Sequence, residues 1–425
     1  MTDGEKESDQ PSELKGTTRG AFRFSRPCVR SALFAFFLSR IIVAAIVVLT
    51  ANVVFQPVVH SVFGDLHESN IRLANQGIVA PLRQITLAAD SAWIMNIAIN
   101  GYEKEPFNNA TQHTWAYFPL YPLLLRGAAK LTGEFPLTGM ALSNLFFLLA
   151  LIMLYQTALE FGCDKAAADR TVFYLALFPV SYFFSLAQTE SLFLLLTVAS
   201  IYCAKKRAWW LAGVCGALAS ATRFAGVFLL VPLCVIYWQH YRAIAKGAEQ
   251  SSGIAARLRG LIKPNALALL VVPLGLLAFM LYLRSITGNA FAFSDIQVAW
   301  GHSPGFFWRP LLTYLGDPLQ VSAGWDFRLL NFAAATTALV CSVVLLMRRE
   351  WALGSFALLS IIVPMSYQPL LQSFARYVMV IFPVFFVLAT AGRRPRVDQV
   401  IRAVFIGLLC LMTALLAARV TLSFA

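Results

Sequence analysis

The sequence predicts an all-α integral membrane protein whose helices cross the bilayer many times. Three observations predict it. The 425 residues are 59% hydrophobic and only 13% charged, where soluble domains carry about 25% charge. Mean hydropathy is +0.68. The apolar residues fall in runs near the ~20 residues a spanning helix needs, separated by short polar loops.

The candidate spans lie at 32–56, 137–160, 171–187, 190–204, 208–222, 224–238, 265–284, 327–347, 353–367, 376–391 and 401–423. That is about eleven helices, several of them shorter than a lone helix requires. Short spans need neighbours or a polar cavity. Pro179, Pro232, Pro273, Pro364 and Pro383 should bend the helices that hold them. No second soluble domain is indicated: residues 1–31 read as a polar, disordered cytoplasmic tail and 32–425 as one membrane domain. The tail lacks the character of a signal peptide.

The net charge of +13 does not point to nucleic acid, because of where the charge sits. Lys205–Arg207, Arg257 to Lys263, Arg348-Arg349 and Arg393 to Arg396 form short basic loops. Such loops face the cytoplasm. With the N-terminus inside, the outside receives two long segments, 57–133 and 285–326, and short turns near Gln188, Phe224 and Gln368. The protein is then multi-pass, in a plasma membrane of bacterial type. The first outer segment is acidic up to Trp115 and holds amphipathic stretches such as Ile85 to Tyr102, which suit the membrane surface. Tyr117 to Leu131 reads as a helix in the outer interface, since Arg126 and Lys130 interrupt it. The seven cysteines sit in or beside apolar runs at no metal-ligand spacing.

Candidate chemistry lies at the outer ends of the helices. Asp90 opens the amphipathic stretch Ser91 to Tyr102. It is either a helix N-cap or a base placed to take a proton from an acceptor hydroxyl. Glu190, in Gln188-Thr189-Glu190-Ser191, is a carboxylate between two apolar runs, and it either caps the next helix or faces a cavity. Arg223 and Arg376 are cations inside apolar surroundings. They either snorkel or hold a lipid-linked phosphate. Trp115 to Pro122 is a rigid aromatic-proline turn suited to an interface. His60, His67, His113, His240 and His302 show no paired-ligand spacing, and no phosphate-binding glycine loop or nucleophile elbow is present.

Several blocks, taken in order, resemble the prokaryotic branch of the PIG-V-like mannosyltransferases, membrane glycosyltransferases of the GT-C class. The blocks are Asp90, Trp93, Ile97-Ala98 and Gly101-Tyr102; Tyr117 to Pro122; Phe183-Phe184-Ser185 through Thr189-Glu190-Ser191; Ala221 to Gly226; and Arg376-Tyr377. Together they span roughly residues 85 to 390. Ala89 stands where the family usually has tryptophan, and Ser91-Ala92 replaces a glycine-containing gap.

The resemblance implies a polytopic GT-C helical bundle. It would move a hexose, mannose by family, from a polyprenyl-phosphate donor to a lipid-linked or glycan acceptor on the extracytoplasmic face, with inversion. Asp90 would be the base, and Arg223 and Arg376 would hold the donor phosphate. Trp93, Tyr102, His113, Tyr117, Tyr121, Gln188, Glu190 and Tyr377 would shape the substrate pocket. Partners would be the donor, the acceptor and membrane lipids, with no nucleic acid. No cofactor is called for, and a divalent metal stays open. Three other readings compete: a flippase or transporter for sugar-linked lipids, a GT-C enzyme with another sugar or a protein acceptor, and a non-enzymatic assembly subunit.

Overall fold

The computed structural model describes residues 25–53, 77–247, 263–316, 321–323, 326–367 and 371–423. The N-terminal tail up to residue 24, the stretch 54–76 with Asp65 and Glu68, the basic loop 248–262 and the turn at Gln368 lie outside the described residues.

The described chain is helical, apart from one short antiparallel pair, β1 (Val321–Ala323) with β2 (Asp326–Phe327). The helices relevant to the site are α1 (Arg26–Val53), α2 (Val79–Ile85), α3 (Ser91–Asn100), α4 (Leu120–Thr132), α5 (Pro136–Glu160), α6 (Lys165–Ala176), α7 (Glu190–Lys205), α8 (Trp209–Ser220) and α9 (Leu230–Gly247). After them come α10 (Leu274–Thr287), α11 (Ala292–Asp295), α12 (Arg309–Gly316), α13 (Arg328–Met347), α14 (Trp351–Met365), α15 (Phe374–Met379), α16 (Pro383–Ala391) and α17 (Pro395–Ser423).

Each expected span coincides with a helix or a broken helix, but few are long. Among the described residues, five helical stretches are long and apolar enough to cross a bilayer: Arg26–Val53, Pro136–Glu160, Phe224–Arg242, Arg328–Met347 and Pro395–Ala418. A bent pair, Pro264–Val271 with Leu274–Thr287, makes a sixth if read as one span. Proline accounts for much of the shortfall. Pro273 sits at a 43° bend, Pro179 lies between α6 and the 3-10 turn Ser181–Ser185, and Pro383 opens α16 after a break. A proline has no amide to donate and its ring crowds the preceding turn, so a helix tends to end before it or start at it. Pro364 lies inside α14, near its end, without breaking it.

The interior is one large apolar cluster built chiefly from α1, α5, α6, α7, α14 and α16, with α5 packed along α7. A second cluster joins the segment before α4 to α10 and α11, where Trp115 and Phe118 meet Phe279, Phe293 and Ile296. The ring centroids of Phe118 and Phe279 are 5.0 Å apart.

Charges gather at both ends of the bundle. At one end Lys206 pairs with Glu160 at 2.5 Å, and Arg393 with Asp164 at 3.6 Å. Arg170 donates to the Ala389 carbonyl, and Asp398 accepts from Tyr174 and Arg402. These are the basic loops the sequence assigns to the cytoplasm. Glu190 lies at the opposite end of α7 from Lys206, and Asp90, Arg223 and Arg376 gather around it.

Helix α4 has 13 residues, so it is about 20 Å long. Tyr121, Leu125 and Ala129 are buried on one face, and Leu131 stands exposed. Its Arg126 donates to the carbonyls of Ala98, Ile97 and Ile99 at 2.6, 3.4 and 3.3 Å. The guanidinium thereby meets the C-terminal carbonyls of α3, of which that of Ile97 also accepts from the Gly101 amide at 2.9 Å. Arg126 therefore interrupts the apolar run for a local reason: it fastens the helix that Asp90 precedes.

Candidate active site

Asp90 occupies the N-cap position of α3 but makes no capping bond. Its Oδ2 is ion-paired with Nη1 of Arg376, and its Oδ1 accepts from the Tyr117 hydroxyl at 3.3 Å. The cap reading of Asp90 is thus set aside. The preceding residue, Ala89, has φ +53°. This left-handed conformation is unfavourable for alanine, and such strain gathers at functional sites. Fully buried Gln188 fixes the same bend. Its Nε2 donates to the Ala88 carbonyl at 3.0 Å and to Ser91 Oγ at 2.9 Å.

Glu190 opens α7 and is completely buried. Its Oε1 is shared by two arginines: Nε of Arg376 donates to it, and Nη1 of Arg223 lies 3.2 Å away. Its Oε2 has no hydrogen-bond partner among the described residues. The approach to Glu190 is pinned from α1, where Arg40 donates to the Ser181 carbonyl at 2.9 Å and to Ser185 Oγ at 2.8 Å. Arg376 is set from α13, because Asn331 Oδ1 accepts the Ala375 amide at 2.9 Å. Ser373, just before α15, also has a positive φ, +50°.

Neither arginine snorkels. Arg376 is 11% exposed and lies over the Phe183 ring at 4.8 Å; Arg223 is 18% exposed, between the rings of Phe193 and Tyr377. The four charged groups form a continuous chain: Asp90, Arg376, Glu190, Arg223. Two anions balance two cations. Enclosure would raise the Asp90 carboxyl. The charge and hydrogen bond of Arg376, the charge of Arg223 and the Tyr117 hydroxyl outweigh that and hold it below the usual carboxylate value. Tyr117 shifts the other way: burial and the Asp90 charge push its phenol up, so it stays a donor.

Over this chain lies an aromatic wall. Trp93 stacks on Tyr117 with centroids 6.1 Å apart, and Trp300, beyond α11, meets both edge-on at 5.9 and 6.1 Å. His302 adjoins it, its Nδ1 2.8 Å from Gln297 Oε1. Burial lowers the His302 imidazole, with the Asp90 charge opposing. Trp300 and His302 were not expected from the sequence. They stand in a segment without a motif, and only the fold brings them to Asp90.

Of the expected site residues, the structure gathers Asp90, Trp93, Tyr117, Gln188, Glu190, Arg223, Arg376 and Tyr377. It leaves three outside. Tyr121 is fully buried, bonded to the Gly139 carbonyl at 3.0 Å and to Ser143 at 2.7 Å, and so joins α4 to α5. Tyr102 donates to the Tyr117 carbonyl at 2.6 Å and supports that residue from behind. His113 turns toward Glu103 and Glu105.

The turn that presents Arg223 depends on Gly226. A Cβ at 226 would lie 2.3 Å from the carbonyl carbon of Ala219 and from the amide nitrogen of Ser220. No real contact is that short, and the obstacle is backbone. Gly226→Ala should therefore displace Arg223 and lower the melting temperature. A Gly226→Ala protein that melts with the wild type would show that the turn does not need the close approach.

A bundle of apolar helices with paired charges gathered at one end and basic loops at the other defines a polytopic membrane protein. The chain belongs to the mannosyltransferase (PIG-V) family, whose model matches residues 30–285, more than half of the chain. Asp90, Glu190 and Arg223 lie inside that match; Trp300, His302 and Arg376 lie beyond it.

The human GPI alpha-1,6-mannosyltransferase 2 is 28% identical over 197 residues, 41% of this chain and 38% of that protein. The match thus spans well under half of the curated relative's length. Among solved structures, the Archaeoglobus fulgidus oligosaccharyltransferase in its apo form is 14% identical, covering 92% of this chain and 56% of that one, with a TM-score of 0.40. The same enzyme tethered to an acceptor peptide gives a TM-score of 0.40 with 92% and 55% covered.

Proposed function

We propose that the protein transfers a hexose, mannose by family, from a polyprenyl-phosphate donor to a lipid-linked or glycolipid acceptor at the extracytoplasmic face, with inversion. The observation that carries this reading is the ion pair between Asp90 and Arg376. It places a carboxylate beside a cation able to bind the donor's phosphate. The short and broken helices are read as further spans of a GT-C-type bundle, each completed by its neighbours, with α4 in the outer interface.

The pairing suggests an order of events. Without donor, Arg376 holds Asp90. The phosphate of an arriving donor competes for Arg376 and, with Arg223, receives a two-point clamp. Asp90 is then released beside the sugar. The acceptor O–H gives its proton to an Asp90 oxygen, its oxygen bonds to the anomeric carbon, and the bond from that carbon to the phosphate oxygen breaks. The electron pair leaves with the polyprenyl phosphate, whose charge the arginines meet. One base on the reacting face is what inversion needs. Glu190 holds the two arginines together, which would otherwise repel. Trp93, Tyr117 and Trp300 offer faces to the sugar.

The decisive assay incubates purified protein with polyprenyl-phosphate-mannose and extracted lipids, and reads the product by mass spectrometry. A lipid heavier by one hexose supports the reading. The clamp is tested separately through donor affinity. Arg223→Ala and Arg376→Ala should each weaken polyprenyl-phosphate binding about tenfold or more, as loss of a charge-assisted hydrogen bond does. Unchanged affinity in both variants would remove the arginines from the donor site.

A further inference from the structure

Away from Asp90, the first outer segment folds back on itself between α3 and the 3-10 turn Thr114–Ala116. Three potential metal ligands meet there. Nδ1 of His113 lies 3.1 Å from Glu103 Oε2 and 3.1 Å from Glu105 Oε1. Donor atoms of the three side chains all lie within 4.8 Å of one another. The ring is held from two further sides. Thr111 Oγ1 is 3.0 Å from Nε2, and the Trp115 indole stacks on the imidazole at 4.2 Å. His113 is only 12% exposed, while Glu105 is half open to solvent.

The arrangement is more than a group of acids. Two carboxylate oxygens face one imidazole nitrogen at equal distance, and a single N–H points well at only one of them. The Thr111 hydroxyl can accept the proton of Nε2–H, which leaves the Nδ1 lone pair facing the carboxylates. Fixing a ligating histidine's other nitrogen in this way is a usual feature of metal sites. Three acceptors then converge, and one cation can satisfy all of them. In a tetrahedral zinc site with bonds of about 2.1 Å, neighbouring ligand atoms stand about 3.4 Å apart. The two separations from the imidazole nitrogen, 3.1 Å each, are close to that, and the exposed Glu105 side chain can supply the adjustment between the carboxylates.

We propose that Glu103, Glu105 and His113 bind a first-row divalent cation, Zn2+ or Mn2+, through two carboxylates and one imidazole. No such set was legible in the sequence, because His113 lies ten and eight residues from Glu103 and Glu105, at no recognised spacing. The cation closes the base of a strap. Glu103 Oε2 also accepts from the amide and hydroxyl of Thr114 at 3.0 and 3.1 Å. The Glu103 carbonyl accepts from Trp115 Nε1 at 3.0 Å. Three residues beyond Thr114 the strap delivers Tyr117, which touches Asp90. The site is therefore a structural staple beside the Asp90 chain, and it does not depend on the transferase reading.

The test uses the full-length chain in detergent, stripped with chelator and dialysed against Zn2+ or Mn2+. Wild type should retain one equivalent per chain. Glu105→Gln and His113→Gln should each bind at least about tenfold more weakly, and Thr111→Val should weaken binding about tenfold through loss of the supporting bond. Hydrogen exchange supplies a readout local to the strap: Zn2+ should slow exchange from Glu103 to Trp115 in wild type and not in Glu105→Gln. Two results would overturn the proposal. One is equal metal retention by wild type and the Glu105→Gln/His113→Gln double variant. The other is bound metal without protection of this segment, which would place the ion elsewhere.

Discussion

Asp90→Asn should lower the transfer rate by about two to four orders of magnitude, the usual worth of a positioned general base. The geometry adds a second expectation. Arg376 spends one arm of its guanidinium on Asp90. Asparagine removes that charge and frees the arm for the donor phosphate. The variant should therefore bind polyprenyl phosphate as well as the wild type or more tightly, while turnover collapses. A merely structural aspartate would lose both together. Near-normal turnover by folded Asp90→Asn would end its assignment as the base.

The pH profile carries the same logic. Asp90 must be ionised to accept a proton. In the free protein its carboxyl lies below the usual carboxylate value, with Arg376 the main opposing influence on its burial. The acid limb of kcat/KM, which reports the free protein, should therefore fall at unusually low pH. Once phosphate has taken Arg376, that support is gone. The acid limb of kcat should move upward relative to kcat/KM. Coincident limbs would mean that the Asp90–Arg376 pair survives donor binding.

The charged residues of the site were legible in the sequence because apolar surroundings expose them. A carboxylate between two apolar runs, as Glu190 is, or a lone cation such as Arg223, has few inexpensive explanations. What the sequence hides is pairing. Arg376 and Glu190 are 186 positions apart, and Arg376 and Asp90 are 286 apart. No periodicity links residues so distant. The polar residues that hold the site in place were hidden for the same reason. Arg40 and Asn331 look like isolated exceptions in apolar runs until their backbone partners are seen. Helix positions were readable from hydropathy, but helix lengths were not. Prolines could be named as bends, but not which would break a run in two, as Pro273 does, and which would leave it whole, as Pro364 does.

Glu190 carries the second large expectation, and it concerns stability as much as chemistry. Its carboxylate has no solvent access and faces both arginines. Glu190→Gln keeps the shape and removes the charge. Arg376 would retain Asp90, but Arg223 has no other carboxylate within ion-pair range among the described residues. Breaking one side of a buried pair costs about 3–5 kcal/mol, because the remaining charge stays uncompensated. The melting temperature of Glu190→Gln should fall accordingly. Removing the stranded cation as well should return part of the loss, so the double variant Glu190→Gln/Arg223→Gln should be more stable than Glu190→Gln alone. Additive losses in that double-mutant cycle would show that the two groups do not interact. A positive coupling would establish the chain of charges as one unit. It would also predict that donor phosphate raises the melting temperature of Glu190→Gln more than that of wild type, because the phosphate supplies the anion that the substitution removed.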